Sequence, residues 1–295
     1  MMFPKKRTAY DYDAYLYLIP ALLFIGLFIY YGAYFNVYHS FFKWNGISRN
    51  MTFIGFDNYV TLVKDPKFIK AITNTLTYMV ITVILQAVIG LFVAVVNDSL
   101  FFGKRLFKSL FFLPNIMSLV VVAVIFTELY NFNTGAVNEA LRAIGLENLV
   151  RDWTGDPNLA LFAVMATNIF TYMGFSMIIY FTAITQFNQE VIESAKMDGA
   201  GFLQLFTRMI FPMLKSTHSL LLILGIIGSL KTFDLVWLIT GGGPARSSEV
   251  VSTYLYRSYV LEYKGGYSAA ISNLIMMIAL MMTWVQSRIQ KKWDV

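Results

Sequence analysis

Glu190 to Leu214 reads EVIESAKMDGAGFLQLFTRMIFPML, a moderately polar stretch set between two apolar runs. Pro157 to Gln189 before it and Ser216 to Leu230 after it hold no charged residue, so the stretch is a loop at a membrane face. Its own residues describe two short helices. Asn188 can cap the first, whose opening turn sets Glu190 and Glu193 against the positive helix end. Asp198 and Gly199 then break it, Gly because it accepts the left-handed backbone of a C-cap and Asp because it favours turns. In the second helix Phe202, Leu205, Phe206 and Met209 fall at i, i+3, i+4 and i+7 and form one apolar face. Pro212 ends or kinks this helix where the next apolar run begins. An apolar face held outside the bilayer needs a cover, most simply another protein. A helix lying on lipid would carry a basic polar face, whereas Glu190, Glu193 and Asp198 here offset Lys196 and Arg208.

Within this stretch Glu193, Ala195, Asp198, Gly199, Ala200, Phe206, Pro212 and Leu214 resemble the EAA signature of membrane subunits in binding-protein-dependent ABC importers. Ser194, Met209 and Phe211 depart from the usual Ala, Ile and Leu while keeping size or apolarity. The resemblance implies that the helix pair is a coupling element seated in a groove of a cytoplasmic ATPase subunit. Further along the chain, GFDNYVTLVKDPKF from Gly55, NTLTY from Asn74 and GAVNEALRAIGL from Gly135 are similar to segments of carbohydrate-importer permeases. The TGGGP at Thr240 to Pro244 resembles the type that pairs with a second, different permease, of the larger maltose or glycerol-phosphate kind. What this likeness implies is a heterodimeric importer with two ATPase subunits and an extracytoplasmic solute-binding protein. ATP and Mg would be bound by the ATPase subunits, and this chain would bind no cofactor and no metal.

Composition agrees with a membrane protein. Hydrophobic residues make up 57% and charged residues 14% of the 295, with a mean hydropathy of +0.60, which excludes ordinary soluble domains. Cysteine is absent, which removes disulfides, thiolate metal sites and Cys nucleophiles. The net charge of +6 sits in short clusters beside apolar runs and suits lipid headgroups rather than nucleic acid, which calls for a basic stripe with stacking aromatics.

The fold class expected is all-α, a polytopic membrane protein of six transmembrane helices with a cytoplasmic coupling helix-turn-helix. The spans fall at about 16–35, 72–96, 110–127, 159–185, 216–240 and 268–286, each long enough for the roughly 30 Å hydrocarbon core. The first is too long for a signal peptide and is followed by further spans, so it is read as retained. Pro114 lies in the first turns of the third span, where a missing donor is tolerated. Residues 1–15 and 290–295 form tails around a transmembrane domain at 16–289 that includes the coupling loop at 188–214. Lys5 to Arg7 and Lys104 to Lys108 sit in short connections and place both termini in the cytoplasm. The predicted location is a bacterial or archaeal cytoplasmic (inner) membrane.

Catalytic constellations are missing. His39 and His218 fall on opposite sides of the membrane, the GFSMI around Ser176 lacks the second Gly of a nucleophile elbow, and no phosphate-binding loop is present. The chain is therefore expected not to be an enzyme. Lys231 and Asp234 stand inside the fifth apolar run, where a charge facing lipid costs roughly 2.5–3.5 kcal/mol. At i, i+3 they share a helix face and either line a solute pathway with Ser229 and Thr232 or form a buried structural ion pair. On the fourth span Asn168, Thr171, Tyr172 and Phe175 form a polar and aromatic stripe that suits a sugar, with a helix-helix contact as the plainer reading. By placement relative to the signature, Asn168, Tyr172, Ser229 and Thr232 correspond to the solute pocket of sugar-importer permeases. Asn273 is read as bonding a neighbouring helix. An acidic sugar or glycerol-phosphate-type solute is the alternative cargo, with Lys231 as counter-ion. A stand-alone secondary transporter or channel is the alternative class, disfavoured by the helix pair and by the lack of an inverted repeat.

Overall fold

Uncharged runs in a bilayer leave the backbone no partner but itself, which forces helices. The structure, a computed structural model, describes residues 10–99 and 103–291. The predicted basic cluster at Lys5 to Arg7, and Lys292, lie outside the described residues. Four helices are long and apolar enough to cross a membrane, or six if each of two bent pairs counts as one span. The chain divides into two compact units.

One unit comprises the residues up to Lys64 together with Tyr256–Leu274. It begins with α1 (Tyr10–Phe24), a π-helical turn (Ile25–Tyr30) and α2 (Tyr31–His39). No residue of the most apolar window in this run is buried within the chain, so its side chains are left for lipid. β1 (Phe42–Lys43) then pairs antiparallel with β2 (Thr52–Phe53), Phe42 opposite Phe53. In α3 (Asp57–Lys64) the buried Asn58 amide donates to the carbonyls of Ser40, at 2.7 Å, and Phe42, at 3.0 Å. The Phe42 carbonyl also explains a glycine, because a Cβ on Gly266 would stand 1.9 Å from it. Asn273 donates to Tyr59 Oη at 3.0 Å and to the Asn36 carbonyl at 3.3 Å, the neighbour-bonding role expected of it.

The other unit comprises Asp65–Leu255 and Ile275–Val295. Its centre is the crossing of α4 (Pro66–Ser99) with α8 (Ala160–Ile184), where Gly90 admits Ser176 as close as a Cβ would forbid. At the start of α4 the buried Asn74 amide donates to the carbonyls of Ser247 and Glu249 at 2.8 and 2.9 Å, and Thr75 Oγ1 accepts from Val251 N at 2.9 Å. NTLTY thus tethers the loop that follows TGGGP. Asn74→Ala leaves two carbonyls without their donor and is expected to lower stability by about 2–4 kcal/mol, read as a fall in melting temperature of the purified chain.

Two predicted spans require correction. The third is not one straight helix over 110–127. It is α5 (Lys104–Ile116) and α6 (Leu119–Leu129), bent by 95°. Pro114 lies in the last turn of α5 rather than the first turn of a span, and Met117 and Ser118 after it are extended. The helix runs on two residues past Pro114, whose missing donor affects the turn before it, and the break itself lies at the extended backbone of Met117 and Ser118. Following α6 come α7 (Ala136–Ala143) and α8. Next are α9 (Gln189–Met197), α10 (Phe202–Leu205), a π-helical turn (Phe206–Ile210) and α11 (Phe211–Met213). The fifth span is also interrupted: α12 (Lys215–Leu230) stops, and α13 (Asp234–Thr240) starts after a three-residue connection. The chain continues through α14 (Val251–Tyr256), a π-helical turn (Arg257–Leu261) and α15 (Gly265–Lys291). Late in α15, Gln286 and Gln290 bond Ser219 of α12, which holds these two helices together.

Candidate functional site: a polar cavity and a capped helix pair

The break after α12 is closed by several backbone hydrogen bonds. Lys231 N and Thr232 N close back on the carbonyls of Gly228 and Ser229 at 3.2 and 3.3 Å, tightening the last turn. Ser252 Oγ donates to the Leu230 carbonyl, and Trp237 N reaches the Phe233 carbonyl to begin α13. Lys231 occupies the C-cap of α12 and Asp234 the first position of α13, so each charge meets the helix end of opposite sign. They therefore do not share a face of one continuous helix, as the i, i+3 spacing suggested. Among the described residues no ion pair joins the two, and both side chains are exposed.

Both open into a cavity of about 310 Å³. α8 contributes Asn168, Tyr172 and Phe175 to its wall, and α12 contributes Ser229. Thr232 completes the predicted set and donates to the buried Tyr78 Oη at 3.2 Å. Thr171 does not join them. It is buried and donates to the Thr167 carbonyl at 2.7 Å. Gln86 was not foreseen. Its amide donates to Asn168 Oδ1 at 2.7 Å, so an α4 side chain fixes the orientation of the α8 one. A lone amide inside an apolar run is costly unless partnered, and that was the available signal. The cavity thus offers one cation, one carboxylate, the hydroxyls of Tyr78, Tyr172, Ser176, Ser229 and Thr232, an amide pair and aromatic rings.

The helix pair at 188–214 has the local chemistry expected. Asn188 Oδ1 accepts from Glu190 N at 3.0 Å. At the other end of α9, Gly199 N bonds the Lys196 carbonyl and Ala200 N the Ala195 carbonyl, both at 3.0 Å, with Gly199 at φ +83°. This is a Schellman stop, in which glycine takes the left-handed position at no steric cost. Glu193, Asp198 and Gly199 are exposed, while Ala195, Ala200 and Phe206 are half-buried and Pro212 is exposed.

The apolar face differs from the sequence reading. Leu205 is buried, and Phe206 and Met209 pack with it against Ile192, Ile210, Leu214, Tyr180 and the end of α4 around Leu91 and Ala94. The chain covers most of this stripe itself. Periodicity identifies an apolar face but not its cover, and here the cover lies within the same unit. What remains open is a smaller patch: Met197 is 87% exposed, Phe202 68% and Leu203 71%. Leu214 and Lys215 mark a 62° bend between this element and α12.

Helices long and apolar enough to cross a membrane, a polar cavity among them and a capped amphipathic pair in the same unit fit a membrane transport subunit. The chain belongs to the family of binding-protein-dependent transport system inner membrane components, whose model matches residues 86–295. It is 37% identical over 279 residues to the probable ABC transporter permease protein YurN of Bacillus subtilis, covering 94% of this chain and 95% of that one. It is 28% identical to the multiple sugar-binding transport system permease protein MsmF of Streptococcus mutans, covering 98% and 99%. A crystal structure of a bacterial alginate ABC transporter, in complex with alginate pentasaccharide-bound periplasmic protein, superposes with a TM-score of 0.83 at 25% identity over 96% of this chain and 95% of its own. The chain is an ABC importer permease.

Proposed function

We propose that this permease carries a sugar or oligosaccharide inward through the cavity at the α12–α13 break. The observation that carries the reading is the lining itself. Asn168, Tyr172, Ser229, Thr232, Lys231 and Asp234 surround one space with donors, acceptors and ring faces, the mixture that sugar hydroxyls and sugar faces require. The volume of about 310 Å³ lies at the small end of ligand sites, about 300–1,000 Å³. One or two sugar rings would therefore be held at a time. Sugar and alginate transporters among the relatives support this class of cargo.

The solute would be handed over by an extracytoplasmic binding protein, and a second, different permease would complete the pathway. Two cytoplasmic ATPase subunits would bind ATP and Mg and supply the energy. Glu193, Ala195, Asp198, Gly199, Ala200, Phe206 and Pro212 would form the coupling element, with the open patch at Met197, Phe202 and Leu203 as the surface that docks. Both termini would be cytoplasmic, flanking a transmembrane domain at 16–289 with short tails at 1–15 and 290–295.

An acidic sugar or glycerol-phosphate-type solute is the second reading, favoured by Lys231 standing exposed in the cavity. Asp234 argues for the neutral one, because a cation and a carboxylate in one space sum to no net charge. Lys231→Met separates them. A charged hydrogen bond contributes about 1.5–3 kcal/mol, so loss of the ammonium should reduce uptake of an anionic solute by about tenfold to a hundredfold. Uptake of a neutral sugar is expected to change by less than about threefold. Competition between neutral and anionic sugars in membrane vesicles of the assembled importer reads the difference, and selective loss of anionic uptake would replace the neutral reading with the acidic one.

A further inference from the structure

Between the cavity and the helix pair stands His218, a polar side chain that neither role accounts for. It lies in the first turns of α12, just past the 62° bend. Its Nε2 is 3.2 Å from the Phe211 carbonyl in α11, and its Nδ1 is 2.8 Å from Tyr180 Oη in α8. A carbonyl can only accept, so the proton must be on Nε2. Nδ1 then accepts, and Tyr180 donates its hydroxyl hydrogen to it. The ring also packs on Phe211 at 4.6 Å and on Tyr180 at 5.3 Å between centroids. Tyr180 is 1% exposed in the apolar cluster that covers the helix pair, where an unpaired hydroxyl would be costly.

We infer that His218 is a positioning residue that binds the trailing end of the helix pair, α12 and α8 into one moving body, so that displacement of the pair reaches the cavity wall. This rests on the coupling role proposed above. Three segments meet at the imidazole, and two of them carry cavity residues: α8 with Asn168 and Tyr172, α12 with Ser229. Apolar packing in the shared cluster also holds these segments together but sets no fixed geometry, whereas the Tyr180 bond fixes the position of α12 against α8.

The test uses Tyr180→Phe, which keeps the ring, and His218→Gln, whose amide nitrogen can still reach the Phe211 carbonyl. Tyr180→Phe loses only the bond across to α8, whereas His218→Gln also gives up the ring's packing on Phe211 and Tyr180. The chain contains no cysteine, so a single Leu224→Cys reporter on the cavity wall can be followed by N-ethylmaleimide labelling in the full importer. Either variant is expected to lower hydrogen-exchange protection of residues 215–219 about tenfold. Either is also expected to cut the labelling change caused by a non-hydrolysable ATP analogue at least fivefold, with the ATPase still attached. The double variant should be no worse than each single one. Unchanged protection would overturn the bond, and lost protection with a full nucleotide response would overturn its coupling role. Equal loss of ATPase attachment would leave only a structural role and overturn the inference. A reporter that ignores nucleotide even with His218 and Tyr180 in place would overturn the coupling reading and this inference together.

Discussion

Met197→Asp with Leu203→Asp is expected to strip the ATPase from this permease while leaving the permease folded. Both side chains stand open, 87% and 71% exposed, at the end of α9 and in α10 of the helix pair. Burying one such side chain at an interface contributes about 1.5–3 kcal/mol, so losing two weakens attachment by roughly a hundredfold to ten-thousandfold. The introduced carboxylates would add a desolvation cost in the same direction. In the isolated chain neither residue packs on anything large, and stability should move by less than about 0.5 kcal/mol. Leu205→Ala is the informative contrast. That side chain is 7% exposed in the cluster with Ile192, Ile210 and Leu214, and its loss should cost the fold about 2–5 kcal/mol. Affinity co-purification of the ATPase, set beside melting of the permease alone, reads both variants. Attachment that survives the double Asp variant would remove the docking surface from the proposal.

This contrast also marks where sequence reasoning reached its limit. Asn188, Asp198 and Gly199 were legible because caps and helix stops are settled by bonds within six residues. Lys231 and Asp234 were legible as exceptions because a charge in an apolar run needs a reason. Their separation onto two helices was not, since a short break leaves the hydropathy of the run unchanged. The same blindness merged α5 and α6 into one span across a 95° bend. Gln86 escaped for a different cause: a lone amide in an apolar run says that a partner exists, but that partner, Asn168, is 82 residues away and cannot be named locally. The apolar stripe through Leu205 and Met209 was correctly found and wrongly assigned to a partner, because period and polarity say that a face is covered, never by what.

Long-range packing of this sort decides the last expectation. Gly174→Ala should cripple the fold although it adds one methyl. A Cβ there would stand 2.0 Å from the Phe111 carbonyl oxygen, 2.7 Å from its carbon and 2.9 Å from Phe112 Cα. All three are backbone atoms of α5, so no rotamer change relieves the contact and the two helices must separate. Overpacking that cannot relax costs about 3 kcal/mol or more. Gly32→Ala is the matched control, with nothing within 4 Å of the added carbon and a helix propensity that favours alanine by about 1 kcal/mol. The expected result is little Gly174→Ala protein in membranes and a melting temperature well below that of the parent, with Gly32→Ala at or above it. Any surviving Gly174→Ala chain should also bind solute poorly, because Tyr172 and Phe175 line the cavity from the same turns of α8 and would move with the displaced helix. Normal accumulation, melting and uptake in that variant would mean that α5 does not approach α8 this closely.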